Sequence, residues 1–132
     1  MRGVYLVAAE LSRFGLIVSP TSRSAHGADL LVTDQSCNQA FSVQVKTNAT
    51  TFGFWLLNKK AKELSSRSHI YVFVNLRGDG NNPEYYIVPS KIVSKKMYSE
   101  EGAKSNWYSF SRKEAMPYLN KWKIFQPTSK TF

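Results

Sequence analysis

Glu10, Asp29, Gln44 and Lys46 bring two carboxylates, a neutral oxygen donor and a cation into the first 46 residues. A hard divalent cation such as Mg2+ takes oxygen ligands, commonly one or two carboxylates, with water and substrate phosphate completing its shell. Asp29 and Glu10 could supply the carboxylates; the Gln44 side chain and the Val45 backbone carbonyl could supply neutral oxygens. A cation held in this way can bind a phosphate and lower the pKa of an attacking water. Lys46, a point charge on a flexible stem, suits orienting that water and stabilising charge on the phosphorus oxygens.

These side chains meet only if the surrounding elements bring them together. Val4, Val7, Ala8, Leu11 and Phe14 recur at helical spacing over residues 3–14, and Gly15 follows where a left-handed C-cap sits. Glu10 falls at the border of that apolar stripe. GLIVS is a short strand stopped by Pro20, and ADLLVTD is a second strand. QSCNQA has loop composition and leads to FSVQVKTN, in which Phe41, Val43, Val45 and Thr47 alternate with Ser42, Gln44, Lys46 and Asn48. The last two strands are expected to form a hairpin. Matching apolar with apolar sets Asp34 opposite Phe41, Val32 opposite Val43, Leu30 opposite Val45 and Asp29 opposite Lys46.

Beyond the hairpin, TTFGFWLLNKKAKEL reads as a loop running into a helix that ends near Ser65, and SHIYVFVNL and EYYIVPS read as strands separated by the turn cluster GDGNNP. KIVSKKMYSEEGAKSN reads as a short helix and a loop, and WYSFSRKEAMPYLNKWKIF as a strand-like start with a last helix. The order helix, three strands, helix, two strands, helix describes a single α/β domain over residues 1–132, with helices flanking a central mixed sheet.

The helix glutamate, the GAD at the head of a strand, the short hairpin loop and the QVK together resemble the PD-(D/E)xK nuclease superfamily, whose restriction-endonuclease-like fold has an α-β-β-β-α-β core. That core corresponds to about residues 3–75, leaving an extra strand and helix at the C-terminal end. GADLLVTD, FSVQVKT and WLLNKKAKEL look especially like small bacterial members. The resemblance implies that Glu10, Asp29, Gln44 and Lys46 are catalytic positions, with Asp29, Gln44, Val45 and Glu10 turned toward Mg2+ or Mn2+. Ala28 stands where the motif has proline, and Gln44 where its commonest form has Asp or Glu. Glutamine is accepted there in the branch resembling the Mrr-type restriction enzymes. The implied activity is that of a metal-dependent endonuclease, a hydrolase acting on DNA. With Gln44 replacing the acid, the same residues also suit a catalytically silent module that keeps the fold and binds nucleic acid or a partner protein.

Simpler roles exist for each residue. Asp29, following Gly27, could satisfy backbone N–H groups at a strand start; Lys46 could form a cross-strand ion pair with Asp29 worth under about 1 kcal/mol. Glu10 has Arg13 three residues on. Around these positions the chain carries 18 Lys and Arg against 9 Asp and Glu, a formal charge of +9 that calls for a polyanionic partner, nucleic acid first. If about five of these cations met phosphates, a fourfold rise in salt would cost roughly 10²–10³ in affinity. His26, in the loop before Asp29, and Lys59, Lys60 and Lys62 are the candidates for that contact. Cutting both strands of a duplex would call for a homodimer. The lone Cys37 rules out an intramolecular disulfide and a thiolate metal cluster. No run reaches the roughly 20 apolar residues of a membrane span, and a cytoplasmic setting without membrane contact is expected.

Overall fold

The computed structural model describes residues 2–22, 28–78 and 80–126. Its elements run α1 (Arg2–Arg13), β1 (Ile17–Pro20), β2 (Leu30–Thr33), β3 (Ala40–Asn48), β4 (Phe54–Leu56), α2 (Lys60–Glu63), β5 (His69–Asn75), β6 (Glu84–Pro89), α3 (Ser90–Lys96), β7 (Tyr98–Glu101), β8 (Asn106–Ser111) and α4 (Arg112–Ala115), followed by two 3-10 turns, Met116–Tyr118 and Trp122–Phe125.

HIYVFVN lacks polar alternation and is buried at every position, the signature of a strand covered on both faces. It lies inside a five-stranded sheet of order β1-β2-β3-β5-β6. The β3–β5 pair is parallel and the other pairs are antiparallel, so the sheet is mixed. Val43 and Val45 of β3 and Ile70, Val72 and Val74 of β5 turn to one face, where Val4, Val7 and Leu11 of α1 and Trp122 and Phe125 of the C-terminal turn cover them. Gly3 permits this approach, since a Cβ there would collide with the Thr47 side chain at the end of β3. Gly15 ends the helix with φ +76°, its N–H donating to the Ser12 carbonyl at 3.1 Å, as a left-handed C-cap requires.

The opposite face is covered only in part. A second sheet, of order β4-β8-β7, joins α2, α3 and α4 over β5 and β6, burying Trp55, Phe110, Val93 and Ala115 against Tyr71, Phe73, Tyr86 and Val88.

Five expectations are corrected. The stretch FWL, expected as loop or helix, is strand β4, pairing with β8 so that Trp55 enters the core. The lysine-rich segment behind it buries only Ala61, and α2 closes a single turn of four residues. MYSEE likewise adds strand β7, and Pro117 breaks the expected last helix into α4 and a 3-10 turn. Finally, the hairpin register differs by two residues from the expected one: Leu30 pairs with Val43, Val32 with Phe41, and Thr33 with Ala40. Asp34 belongs to the loop, where its Oδ1 accepts from the N–H groups of Asn38 (2.8 Å) and Gln39 (3.4 Å). A two-residue slip preserves strand parity, so every side chain keeps the face that the pattern assigned to it.

Candidate active site

Beyond the second layer, the face carrying Ser42, Gln44 and Lys46 is open. β2 leaves the sheet here at Asp29. The Asp29 N–H donates to the Val43 carbonyl at 2.7 Å, its carbonyl accepts from the Thr21 N–H at 3.0 Å, and its Oδ2 accepts from the Val45 N–H at 2.7 Å. The carboxylate thus replaces a missing strand as acceptor for the next N–H of β3. Continuing the ladder brings Asp29 alongside Gln44 rather than Lys46. Gln44 and Lys46 stand next to Tyr71 and Phe73 of the parallel strand β5, and all three polar side chains are half-buried. Among the described residues neither Gln44 nor Lys46 has a hydrogen-bond or ion-pair partner, and Oδ1 of Asp29 accepts nothing.

His69 is a neighbour that the spacing of the sequence did not single out, because only the parallel register sets it beside Ser42. Its Nδ1 is 2.7 Å from the Ser42 Oγ, its ring meets Tyr71 edge-on at 5.2 Å, and its Nε2 is buried without a partner among the described residues. Burial lowers the His69 pKa below 6.5, outweighing the negative charge of Asp29, which acts to raise it. The ring is therefore held neutral close to the Asp29 carboxylate.

The other candidate positions lie elsewhere. Glu10 is on α1, which covers the sheet face opposite Gln44 and Lys46; its carboxylate receives Arg13 at 2.8 Å. The structure does not bring it to Asp29, and among the described residues no cluster of three His, Cys, Asp or Glu side chains could hold a metal. Lys62 and Lys59 face Glu101 of β7 at 3.4 and 4.0 Å, whereas Lys60 has no ion-pair partner among the described residues. A hydrogen bond from Tyr108, with Lys62 beside it, holds the Glu101 carboxyl below the usual carboxylate range. His26 lies outside the described residues.

The ladder sets Asp29 alongside Gln44 and Val45, whose possible donors are hard oxygens: one free carboxylate oxygen, one amide oxygen and a strand carbonyl. That chemistry fits Mg2+ or Mn2+ retaining several waters, and a single carboxylate makes for weak binding.

No family model and no curated protein matches the sequence. Among solved structures, the chain is similar to Archaeoglobus fulgidus Hjc, a Holliday junction resolvase from an archaeal hyperthermophile. The TM-score is 0.61 at 11% sequence identity, over 94% of this chain and 96% of that one. The architecture, a central mixed sheet flanked by helices, matches the restriction-endonuclease-like fold of Hjc. Among the described residues no helix is long and apolar enough to cross a membrane.

Proposed function

We propose that the chain is a metal-dependent endonuclease that hydrolyses phosphodiester bonds in DNA. The observation that carries this reading is the gathering of Asp29, Gln44 and Lys46 on the open half of a sheet in a fold shared with a DNA-junction resolvase. Oδ1 of Asp29, the Gln44 amide oxygen and the Val45 carbonyl would hold Mg2+ or Mn2+. A cation bound there would supply Lewis acidity toward the scissile phosphate and acidify the attacking water. Lys46, free of any anionic partner among the described residues, orients that water and offsets the charge that develops on the phosphorus oxygens. Val45, by donating its N–H to Oδ2, fixes the carboxylate and leaves the other oxygen for the cation. The excess of cations draws the polyanionic substrate in, and a homodimer would present one such site to each strand.

One observation favours a second reading, a silent module that binds nucleic acid. Asp29 has a structural task in capping Val45, and among the described residues it belongs to no group of three His, Cys, Asp or Glu side chains that could hold a metal. Purified protein incubated with duplex, four-way-junction and single-stranded DNA, and with RNA, separates the two. Under the first reading DNA is cut with Mg2+ or Mn2+, EDTA stops cutting, and Asp29→Asn and Lys46→Ala each slow it by roughly 10²–10³-fold while remaining folded by circular dichroism. Under the second, nothing is cut with either metal, and salt-sensitive binding is unchanged by Asp29→Asn.

A further inference from the structure

The loop leading into β5 and the first turn of α3 border a separate, half-open cavity of about 480 Å3 at the amino ends of the parallel strands β3 and β5. Its floor is apolar. Phe41 and Ile70 are buried there with Ile124 alongside, on the face carrying α1, so the cavity lies across the sheet from Gln44 and Lys46. Its rim is polar and cationic: Arg67 and Lys91 line it with Ser65 and Ser66, and among the described residues no acidic side chain does. Among the described residues Arg67 and Lys91 have no ion-pair partner, and Ser65 makes no hydrogen bond through its side chain.

Hydrogen bonds hold this rim in place without a ligand. The Ser66 N–H donates to the Ser90 Oγ at 3.0 Å, and that hydroxyl donates back to the Ser66 carbonyl at 2.8 Å. The Ser68 N–H donates to the Ser66 Oγ at 3.2 Å, and the Ser42 N–H to the Ser68 carbonyl at 2.7 Å. Two cations are thus set over an apolar floor by backbone that is already pinned.

An arginine fork and a lysine beside it match the oxygens of a phosphate, and the apolar floor matches a flat ring. The volume falls within the roughly 300–1,000 Å3 of small-molecule sites. We propose that this cavity binds a phosphate group carried with a planar ring, the chemistry of a nucleotide. A free mononucleotide or the phosphorylated end of a nucleic-acid strand could present it. The site is independent of the Asp29 cluster and stands whether or not that cluster cuts DNA.

Amide chemical shifts of the isotope-labelled full chain would be followed while four probes are added: adenosine 5′-monophosphate, inorganic phosphate, and a short oligothymidylate with and without a 5′-phosphate. The amides of Ser66, Arg67 and Ile70 should shift saturably with the mononucleotide, and inorganic phosphate should bind at least roughly tenfold more weakly. Arg67→Ala and Lys91→Ala, both at exposed positions, should each weaken binding by roughly tenfold or more, while Asp29→Asn leaves it unchanged. A mononucleotide that outcompetes the phosphorylated oligonucleotide identifies a free nucleotide as the ligand; the reverse order identifies a strand end. The proposal is overturned if none of the probes shifts these amides saturably at millimolar concentration, or if inorganic phosphate binds as well as the mononucleotide. It is equally overturned if an oligonucleotide that shifts these amides does so equally well without its 5′-phosphate, or if binding survives in the Arg67→Ala/Lys91→Ala double variant or is lost in Asp29→Asn.

Discussion

One face of the central sheet has two different halves. Over β5 and β6 it is sealed by aromatic packing: Tyr71 stacks on Phe73 at 5.6 Å, Phe73 on Phe110 at 5.1 Å, and Trp55 contacts Phe73 and Tyr86 at 5.0 and 5.4 Å. Even the indole N–H of Trp55 is satisfied, donating to the Val74 carbonyl at 3.0 Å. Burial pushes the Tyr71 hydroxyl up to about 12. Over β1, β2 and β3 the same face is open, with Leu31 and Ile17 exposed and Gln44 and Lys46 half-buried. Stability is concentrated in the sealed half and candidate chemistry in the open half, with β3 as the border. A polar side chain that must meet a cation or phosphate cannot also be sealed under aromatic rings, because an unpaired buried polar group carries its full desolvation cost.

The largest expected effect lies in the sealed half. Trp55→Ala removes a fully buried indole and should cost about 3–5 kcal/mol in urea unfolding, whereas Leu31→Ala on the open half should cost under about 0.5 kcal/mol. Equal losses would erase the distinction between the halves. A smaller effect sharpens the open half: Gln44→Glu adds a second carboxylate beside Asp29 and should tighten Mg2+ binding by roughly tenfold, read by calorimetry. Unchanged binding would mean that Gln44 does not face the cation.

The smallest effect falls beside the border, at His69 of β5, which meets Ser42 of β3. Its pKa in the folded chain lies below 6.5 because of burial, so the unfolded chain binds the proton more readily. The stability contributed by the neutral ring is complete above pH 6.5 and is lost as pH falls from there through the folded value. The thermal midpoint should therefore decline below pH 6.5, and His69→Asn, which can keep the Ser42 hydrogen bond without titrating, should flatten that decline. An identical slope in the variant would assign the acid sensitivity to other groups.

Local pattern made much of this legible. The spacing of Val4, Val7 and Leu11 and the following Gly15 announced α1 and its cap, and the alternation in FSVQVKTN put Gln44 and Lys46 on one face of β3. The hairpin was legible too, although its register came out two residues away because Asp34 caps the loop instead of joining the ladder. β4 and β7 were not legible, since three- and four-residue strands carry too few side chains to establish a period against their loop-like surroundings. Glu10 fitted the helix border equally well as a ligand or as a partner of Arg13, and its position on α1 favours Arg13.

By itself the sequence determined the strands of the central sheet, the faces of their side chains and the excess of positive charge, because these follow from periodicity and composition. Tertiary structure alone decided which polar residues meet. Asp29 reaches Val45 because β2 departs from the sheet just there. His69 reaches Ser42, and Arg67 reaches the same cavity as Lys91, because strands and loops far apart in the chain are brought into register by packing that no local pattern encodes.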